Sequence, residues 1–401
     1  MRVCSLQDSW RSILNRRSFV RTSSLTSGAV ALGLNYLELL AAARHSAQES
    51  VANGKLLEEL EFLNEGRVAM DSAFGDELDG RLYTLLSGLS NESLVTPADR
   101  FYIRTRASQI LPNPESWSIT LDGLVAGPQK LKIGSIQAAA KPLGLHLLEC
   151  AGNTRAAHFG MISVAEWAGV PISEILSEAK AKSSATQVLI SGFDRYATDS
   201  VTSTPGASWV FPLEELLKSG AFLATQLNSL PLSRDHGAPV RLVVPNWYGC
   251  ACIKWVDRVS FLNNSAASTS QMLEYATRTH QVGSPKLAKD FLPARIEHAA
   301  MPIRVEKSLV NEKVKYRVVG ILWGGTGSIR SLGIRFNPEE DFVLVDSLPS
   351  PQTAPWTIWS HSWNPKAPGR YTIRLALLNP ELHPKRLDSG YYARSVEIID
   401  V

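Results

Sequence analysis

Cysteine is scarce in this chain: four residues in 401, at Cys4, Cys150, Cys250 and Cys252. That is too few for a disulfide framework in a chain of this length. No Cys-x-x-Cys-His is present, so the motif for covalent haem attachment is missing. Cys250 and Cys252 form only a Cys-x-Cys pair, better read as two small buried hydrophobes than as a metal site. An excess of charge is also missing. The formal net charge is +3, and the first 43 residues account for it with five Arg against Asp8 and Glu38. The remainder has no basic field to draw in nucleic acid or an anionic membrane. The most apolar stretch, Leu25 to Leu40, is broken by Ser, Thr, Gly, Asn and Glu38, too polar for a stable membrane span. Internal repeats and low-complexity tracts are absent as well.

What is present begins with Asn15-Arg16-Arg17-Ser18-Phe19-Val20-Arg21, ahead of that mildly apolar stretch and Ala41-Ala42-Ala43. Paired Arg, a short apolar region and small residues at its end predict a twin-arginine export signal over 1–43 and a periplasmic location. The competing reading is a basic amphipathic helix. Residues 44–100, rich in Leu, Glu and Asn without strand-like alternation, predict a helical extension.

From 101 to 265 the pattern is mixed α/β. Ile119 to Val125, Leu145 to Glu149, Gln187 to Ser191 and Val240 to Val244 read as buried strands, with helices expected over Val164 to Ala179 and Pro212 to Gly220. The polar run 266–300, with Pro285 and Pro293, reads as a linker. Beyond it, Val314 to Ile321, Ser328 to Phe336, Thr357 to Trp363 and Tyr371 to Leu378 predict short strands between Gly, Pro and Asn turns. Such spacing over 301–401 implies an all-β sandwich of immunoglobulin-like type, and an α+β class for the whole.

Two dense segments carry the chemistry. In Leu147-Leu148-Glu149-Cys150-Ala151-Gly152-Asn153-Thr154-Arg155 an apolar strand runs straight into a thiol and a tight turn, with an Arg one turn on. A nearby cation favours the thiolate, the form that binds metal, and soft sulfur suits a redox metal. A buried, inert thiol is the competing reading. In the second segment a loop, Arg234-Asp235-His236-Gly237, feeds a strand starting at Arg241, and Lys254 returns a dozen residues later. Arg, His and Lys converging on glycine-exposed backbone N–H groups would cradle an anion such as phosphate; surface ion pairs are the plainer alternative.

Leu148-x-Cys-Ala-Gly-Asn-x-Arg155, then Ala165-Glu166-Trp167-Ala168-Gly169-Val170-Pro171, Leu232-x-Arg-Asp-His-Gly-x-Pro-Val-Arg241 and Lys254-Trp255 together resemble the molybdopterin domain of sulfite oxidases in order and spacing. The resemblance runs from about Tyr102 to Phe261. It implies Mo-molybdopterin as cofactor, with Cys150 as the protein's ligand to molybdenum. Pterin and phosphate contacts would come from Asp194, His236, Arg241 and Cys252-Ile253-Lys254, and from the early stretch Tyr102-Ile103-Arg104-Thr105-Arg106. Arg104 and Arg155 match arginines that face the substrate oxyanion, giving Cys150, Arg155 and Arg104 as catalytic residues. The β-rich tail resembles the family's dimerisation domain and implies a homodimer.

Two departures stand out. Pro205 occupies the place of the family's pocket Tyr, and Ser328 that of an Arg sent in from the second domain, leaving Arg106 and Arg330 as candidate replacements. The implied activity is oxygen-atom transfer to a small oxyanion, with electrons leaving to an external carrier such as a periplasmic cytochrome c. The second reading is an S-oxide or N-oxide reductase on the same scaffold, taking a sulfoxide of the methionine sulfoxide type. The third is a cofactor-free secreted adhesion protein, opposed by the joint presence of Cys150, Asp194, His236, Arg241 and Lys254.

Overall fold

The computed structural model describes residues 54–65, 81–104, 113–193, 207–350, 352 and 354–401. The expected signal segment, Thr105, Arg106, Asp194 and Pro205 lie outside them. The chain opens with β1 (Lys55–Glu59) and a small ribbon of β2 (Arg81–Leu82) and β3 (Ile103–Arg104). Next come β4 (Ser118–Gly123), β5 (Gln129–Lys132), α1 (Ile133–Ala138), β6 (Lys141–Glu149), β7 (Ile162–Pro171) and α2 (Ile172–Glu178). They are followed by β8 (Gln187–Gly192), β9 (Ser208–Pro212), α3 (Leu213–Lys218), β10 (Phe222–Leu227), β11 (Leu230–Pro231), β12 (Arg241–Val243), β13 (Val256–Leu262) and α4 (Ser270–Tyr275). The last hundred residues hold β14 (Ala299–Val310), β15 (Lys313–Trp323), β16 (Leu332–Arg335), β17 (Val343–Leu344), β18 (Trp356–Trp363), β19 (Gly369–Leu377), α5 (Lys385–Asp388) and β20 (Arg394–Ile398). Among the described residues the architecture is mostly β, and the helices are single or double turns.

The middle of the chain forms two five-stranded sheets. One runs β11-β10-β7-β6, with β12 added to β10; the other runs β5-β4-β13-β8-β9. Some of their strands bury both faces: all six residues of β8 are buried, as are Trp167 and Val170 of β7, Leu223 of β10 and Leu242 of β12. A strand hidden on both sides reads as a near-continuous apolar run without alternation. The absence of alternation misleads at Val164 to Ala179. Its first half belongs to β7, antiparallel to β6 and β10, and only Ile172–Glu178 is helical. Pairing on both edges overrides the local helical pattern. The helix expected at Pro212 to Gly220 is present as α3.

The tail forms two four-stranded antiparallel sheets, β1-β14-β15-β18 and β17-β16-β19-β20. Phe336, just past β16, stacks on Trp363 of β18 with centroids 4.2 Å apart and planes 3° apart, and Trp363 meets Tyr371 of β19 edge-on at 5.0 Å. Aromatic pairs of this kind add about 0.5–1.5 kcal/mol each beyond their area and pin the sheets face to face.

Two expectations need correction. Among the described residues, 54–100 contains no α-helix. Lys55–Glu59 pairs antiparallel with β14 and completes a sheet of the tail, so partner backbone 250 residues away decides its conformation. Residues 266–300 are not a linker either. Thr269 caps α4 by accepting from Met272 N at 3.3 Å while donating to Ser208 O at 2.7 Å, and Met272 is wholly buried. The segment is anchored and forms a wall of the site described next. No helix among the described residues is long and apolar enough to cross a membrane.

Candidate molybdopterin site

Cys150 follows β6 directly. Its N–H donates to Met161 O at 2.9 Å and its C=O accepts from Asn153 N at 2.9 Å, closing the Ala151-Gly152 turn. Gly152 N–H points at Cys150 Sγ, 3.4 Å away. Asn153 is wholly buried and holds the turn from beneath: its Oδ1 accepts from Met161 N at 3.0 Å and its C=O accepts from Tyr391 of the tail at 2.6 Å. Gly249 lies under the strand end, donating to Glu149 O at 2.7 Å. Any Cβ there would stand 2.7 Å from the Tyr102 hydroxyl, so only glycine lets Tyr102 pack beneath the thiol strand.

Cys150 opens into a cavity of about 700 Å³. Around it stand Arg104 of β3, Tyr275 and Arg278 from the former "linker", and Arg386 and Tyr391 from the tail. Arg278 stacks over Tyr275 at 5.4 Å, and its Nη1 comes within 3.5 Å of where a side chain on Gly152 would begin. Arg386 is 8 % exposed and donates to Ala151 O at 2.7 Å and Arg278 O at 2.9 Å. Its Nη1 has no hydrogen-bond partner and lies 3.8 Å from the wholly buried Glu149 carboxylate. Burial works against the Arg386 charge, but Tyr392, Tyr248 and Glu149 outweigh it and raise the guanidinium's pKa.

The structure brings Cys150 and Arg104 together as expected and separates Arg155 from them. Arg155 sits exposed in a 3₁₀ turn, donates to Ala393 O at 2.5 Å, and does not line the cavity although Thr154 and Ala156 do. The expectation that a cation one turn on lowers the thiol's pKa is therefore corrected. Burial raises it, Gly152 N–H, Arg104 and Arg278 pull it down, and burial wins. Arg330 is exposed and does not line the cavity, whereas Arg386, also from the tail, does. Neither Arg278 nor Arg386 carries a motif in sequence, and no local signal could have found them.

The second dense segment folds as a buried cationic nest. Arg241 is 5 % exposed and donates to His236 O at 3.1 Å and Cys252 O at 3.2 Å; its Nε is unpartnered. Lys254 donates to Asp235 O at 2.8 Å and Arg104 O at 3.1 Å, tying this nest to the cavity wall. Gly237, at φ +104°, lies so close that a Cβ would meet Lys254 and Arg241 side chains at 3.0 and 3.1 Å. Tyr102, Ile103, Cys252 and Ile253 are buried around them. Cys252 Sγ accepts from Val244 N at 3.4 Å, and Cys250 is a buried thiol as expected.

His236 is a brace. Its Nε2 donates to Phe101 O at 3.1 Å and its Nδ1 accepts from Ser233 at 2.8 Å, so both nitrogens are committed. Burial lowers its pKa to about 4, so it folds neutral. The unfolded chain, at about 6.5, binds the proton more tightly. Stability from this residue is therefore full above pH 6.5 and falls as pH drops from 6.5 to 4, by about 3 kcal/mol in all. Chemical denaturation of wild type and His236→Gln across that range should converge by this amount at acid pH. Parallel curves would contradict the assignment.

These residues fit the group the second segment implies. Arg241 is a buried guanidinium that meets two carbonyls and, among the described residues, no carboxylate, with its Nε–H unused, a cost that an anionic phosphate would offset. Among the described residues no three His, Cys, Asp or Glu side chains converge to hold a metal by themselves.

Comparison with known proteins agrees. Residues 107–270 match the family model "oxidoreductase molybdopterin binding domain". The chain is 27 % identical to human mitochondrial sulfite oxidase over 328 residues, covering 76 % of this chain and 58 % of that protein. Against Drosophila melanogaster mitochondrial sulfite oxidase it is 29 % identical over 202 residues, 47 % of this chain and 34 % of the relative. The chain thus spans about a third to just over half the length of these relatives. The crystal structure of the sulfane dehydrogenase SoxCD from Paracoccus pantotrophus shares the fold, with a TM-score of 0.60 at 17 % identity over 95 % of this chain and 97 % of that one. A thiol at a strand end beside a buried cationic nest lies within the segment that matches the molybdopterin-binding oxidoreductase domain. Within this chain the segment 107–270 is thus similar to the molybdopterin-binding domain of the sulfite oxidases.

Proposed function

We propose that the protein oxidises a small sulfur oxyanion by oxygen-atom transfer and passes the electrons to an external one-electron carrier, such as a periplasmic cytochrome c. The observation that carries this reading is the shared cavity of Cys150, Arg104, Arg278 and Arg386. Molybdenum–molybdopterin, when bound, supplies the two-electron redox couple and the oxygen-atom chemistry. The chain's own residues do the rest. Cys150 is the metal ligand; Arg241, Lys254 and the Gly237 backbone hold the phosphate end; and His236 locks Phe101 and so the strand bearing Arg104. Asp194, Thr105 and Arg106 are proposed cofactor contacts from outside the described residues. The three cavity arginines orient the anion and lower its energy beside the metal, each charge-assisted bond contributing about 1.5–3 kcal/mol.

The same cations argue against the S-oxide reductase alternative, because a neutral sulfoxide gives them no charge to meet while they remain desolvated. The molybdenum-loaded enzyme should reduce ferricyanide with sulfite and should not oxidise reduced viologen with methionine sulfoxide; the opposite pattern would replace this reading with the reductase. We further propose that 1–43 is a twin-arginine signal directing the folded enzyme to the periplasm, and that the tail sandwich is immunoglobulin-like and pairs two copies. Fractionation of cells and sedimentation of the mature enzyme test both: a cytoplasmic, full-length or monomeric product would refute the corresponding part.

A further inference from the structure

Turning sulfite into sulfate takes an oxygen from water: one S–O bond forms, two O–H bonds of water break, and sulfur gives two electrons to two molecules of a one-electron acceptor. Two protons are left in the cavity. Among the described lining residues, Glu274 is the one carboxylate and His280 the one imidazole. Glu274 is exposed, a base already open to solvent. His280 is held differently. It follows the short turn Thr277–Thr279 with φ +62°, a left-handed backbone uncommon outside glycine, and its side chain is 17 % exposed. Nε2 is shut in, 3.4 Å from Glu297 Oε2, and among the described residues neither atom has a hydrogen-bond partner. Glu297 is not on the described lining, yet its side chain is 29 % exposed, so the carboxylate reaches solvent by another face. Tyr248 packs edge-on to His280 at 6.5 Å and carries Arg386 over its own ring at 4.7 Å, while Lys385 Nζ approaches His280 O at 3.4 Å. Burial lowers the imidazole's pKa, Glu297 raises it, and Arg386 and Lys385 lower it again; burial wins, and the ring rests neutral at pH 7.

We infer that His280 and Glu297 form the proton exit of the cavity: the imidazole takes a proton at Nδ1 and releases one from Nε2 to Glu297 Oε2, and the carboxylate gives it up to solvent. Each turnover works the pair twice, once for each proton of the water. The 3.4 Å separation is that of a resting contact, and a charged imidazole draws the carboxylate in. This rests on the oxyanion-oxidase reading and adds to it the path that clears its protons.

The test uses the molybdenum-loaded enzyme with sulfite and saturating ferricyanide. His280→Asn removes the base but keeps a residue that tolerates positive φ, and Glu297→Gln keeps the shape of the acceptor without its charge. Each should lower kcat by about a hundredfold, within the about 10²–10⁴-fold that a positioned base contributes, and leave KM for sulfite within about twofold. Added imidazole should restore His280→Asn in proportion to its concentration, which a purely structural defect would not allow. Proton NMR of the oxidised, loaded chain, with His280→Asn assigning the resonance, gives a readout independent of turnover. In Glu297→Gln the His280 midpoint should move to lower pH, because the charge that raises it is gone. An unchanged kcat in either variant, no rescue by imidazole, or an unmoved midpoint overturns the inference, as does a loss that follows Glu274→Gln instead. If wild type reduces methionine sulfoxide and leaves sulfite untouched, the oxidase reading fails; the same variants, assayed in that proton-consuming direction, then decide the pair.

Discussion

Arg386→Met is expected to raise KM for the oxyanion by about ten- to a hundredfold and to destabilise the protein by about 3–5 kcal/mol. The first effect follows from losing one of the guanidinium groups that line the cavity with Cys150. The second follows from what remains. Glu149 is wholly buried, accepting from Trp323 Nε1 at 2.8 Å and Tyr392 at 3.3 Å, and Arg386 is the cation that faces it. Without that cation the carboxylate must protonate or stay charged and uncompensated. Ala151 O and Arg278 O also lose their donor, loosening the turn after Cys150 and the loop that carries Arg278. Arg386→Lys keeps a charge but cannot donate to both carbonyls in one plane, so it should recover part of the stability and little of the KM. Denaturant melts and separate kcat and KM values check both; an unchanged KM would remove Arg386 from the anion site.

Arg394→Met is expected to cost about 3–5 kcal/mol, read as a loss in denaturant midpoint, through a different buried pair. Arg394, 5 % exposed, grips Glu65 with both Nε (2.7 Å to Oε1) and Nη2, and donates to Pro302 O at 2.9 Å. Its guanidinium lies 3.6 Å from the Phe62 ring centroid, and His158 approaches Glu65 at 3.7 Å. Residue 65, the turn after Cys150 and the last strand of the tail are thereby clamped at one point. Replacing Arg394 alone strands Glu65, with 1 % of its side chain exposed. Replacing both, as Arg394→Met/Glu65→Leu, should restore most of the loss, because it removes the uncompensated charge along with the pair. A double variant as weak as the single one would mean that the pair's loss is not a desolvation effect.

Which parts of this molecule could be read from its sequence follows from where the determining contacts lie. Cys150, Gly237, Arg241 and Lys254 sit in two short segments whose strand, turn and cation pattern is local, and the fold places them as that pattern implies. β8 and α3 were legible because an apolar run or a Pro-opened turn is enough to define them. β1 and the first half of β7 were not, because strands on both flanks decide their state. Arg155 was misassigned because sequence distance from Cys150 says nothing about which way a 3₁₀ turn throws a side chain. Arg278 and Arg386 reach the cavity from 128 and 236 positions beyond Cys150, brought there by α4 packing under Ser208 and by the tail folding back onto Asn153.

The central claim is that the Cys150 thiolate holds molybdenum, and the sulfur count around the metal tests it most directly. X-ray absorption at the molybdenum edge on wild type and Cys150→Ser, each loaded in a cofactor-competent host and matched for metal content, should show one sulfur neighbour fewer in the variant. Sulfite-dependent turnover should fall with it by more than the about 10–100-fold typical of disturbing a ligand's supporting contacts. An unchanged sulfur count at full molybdenum occupancy would contradict the account.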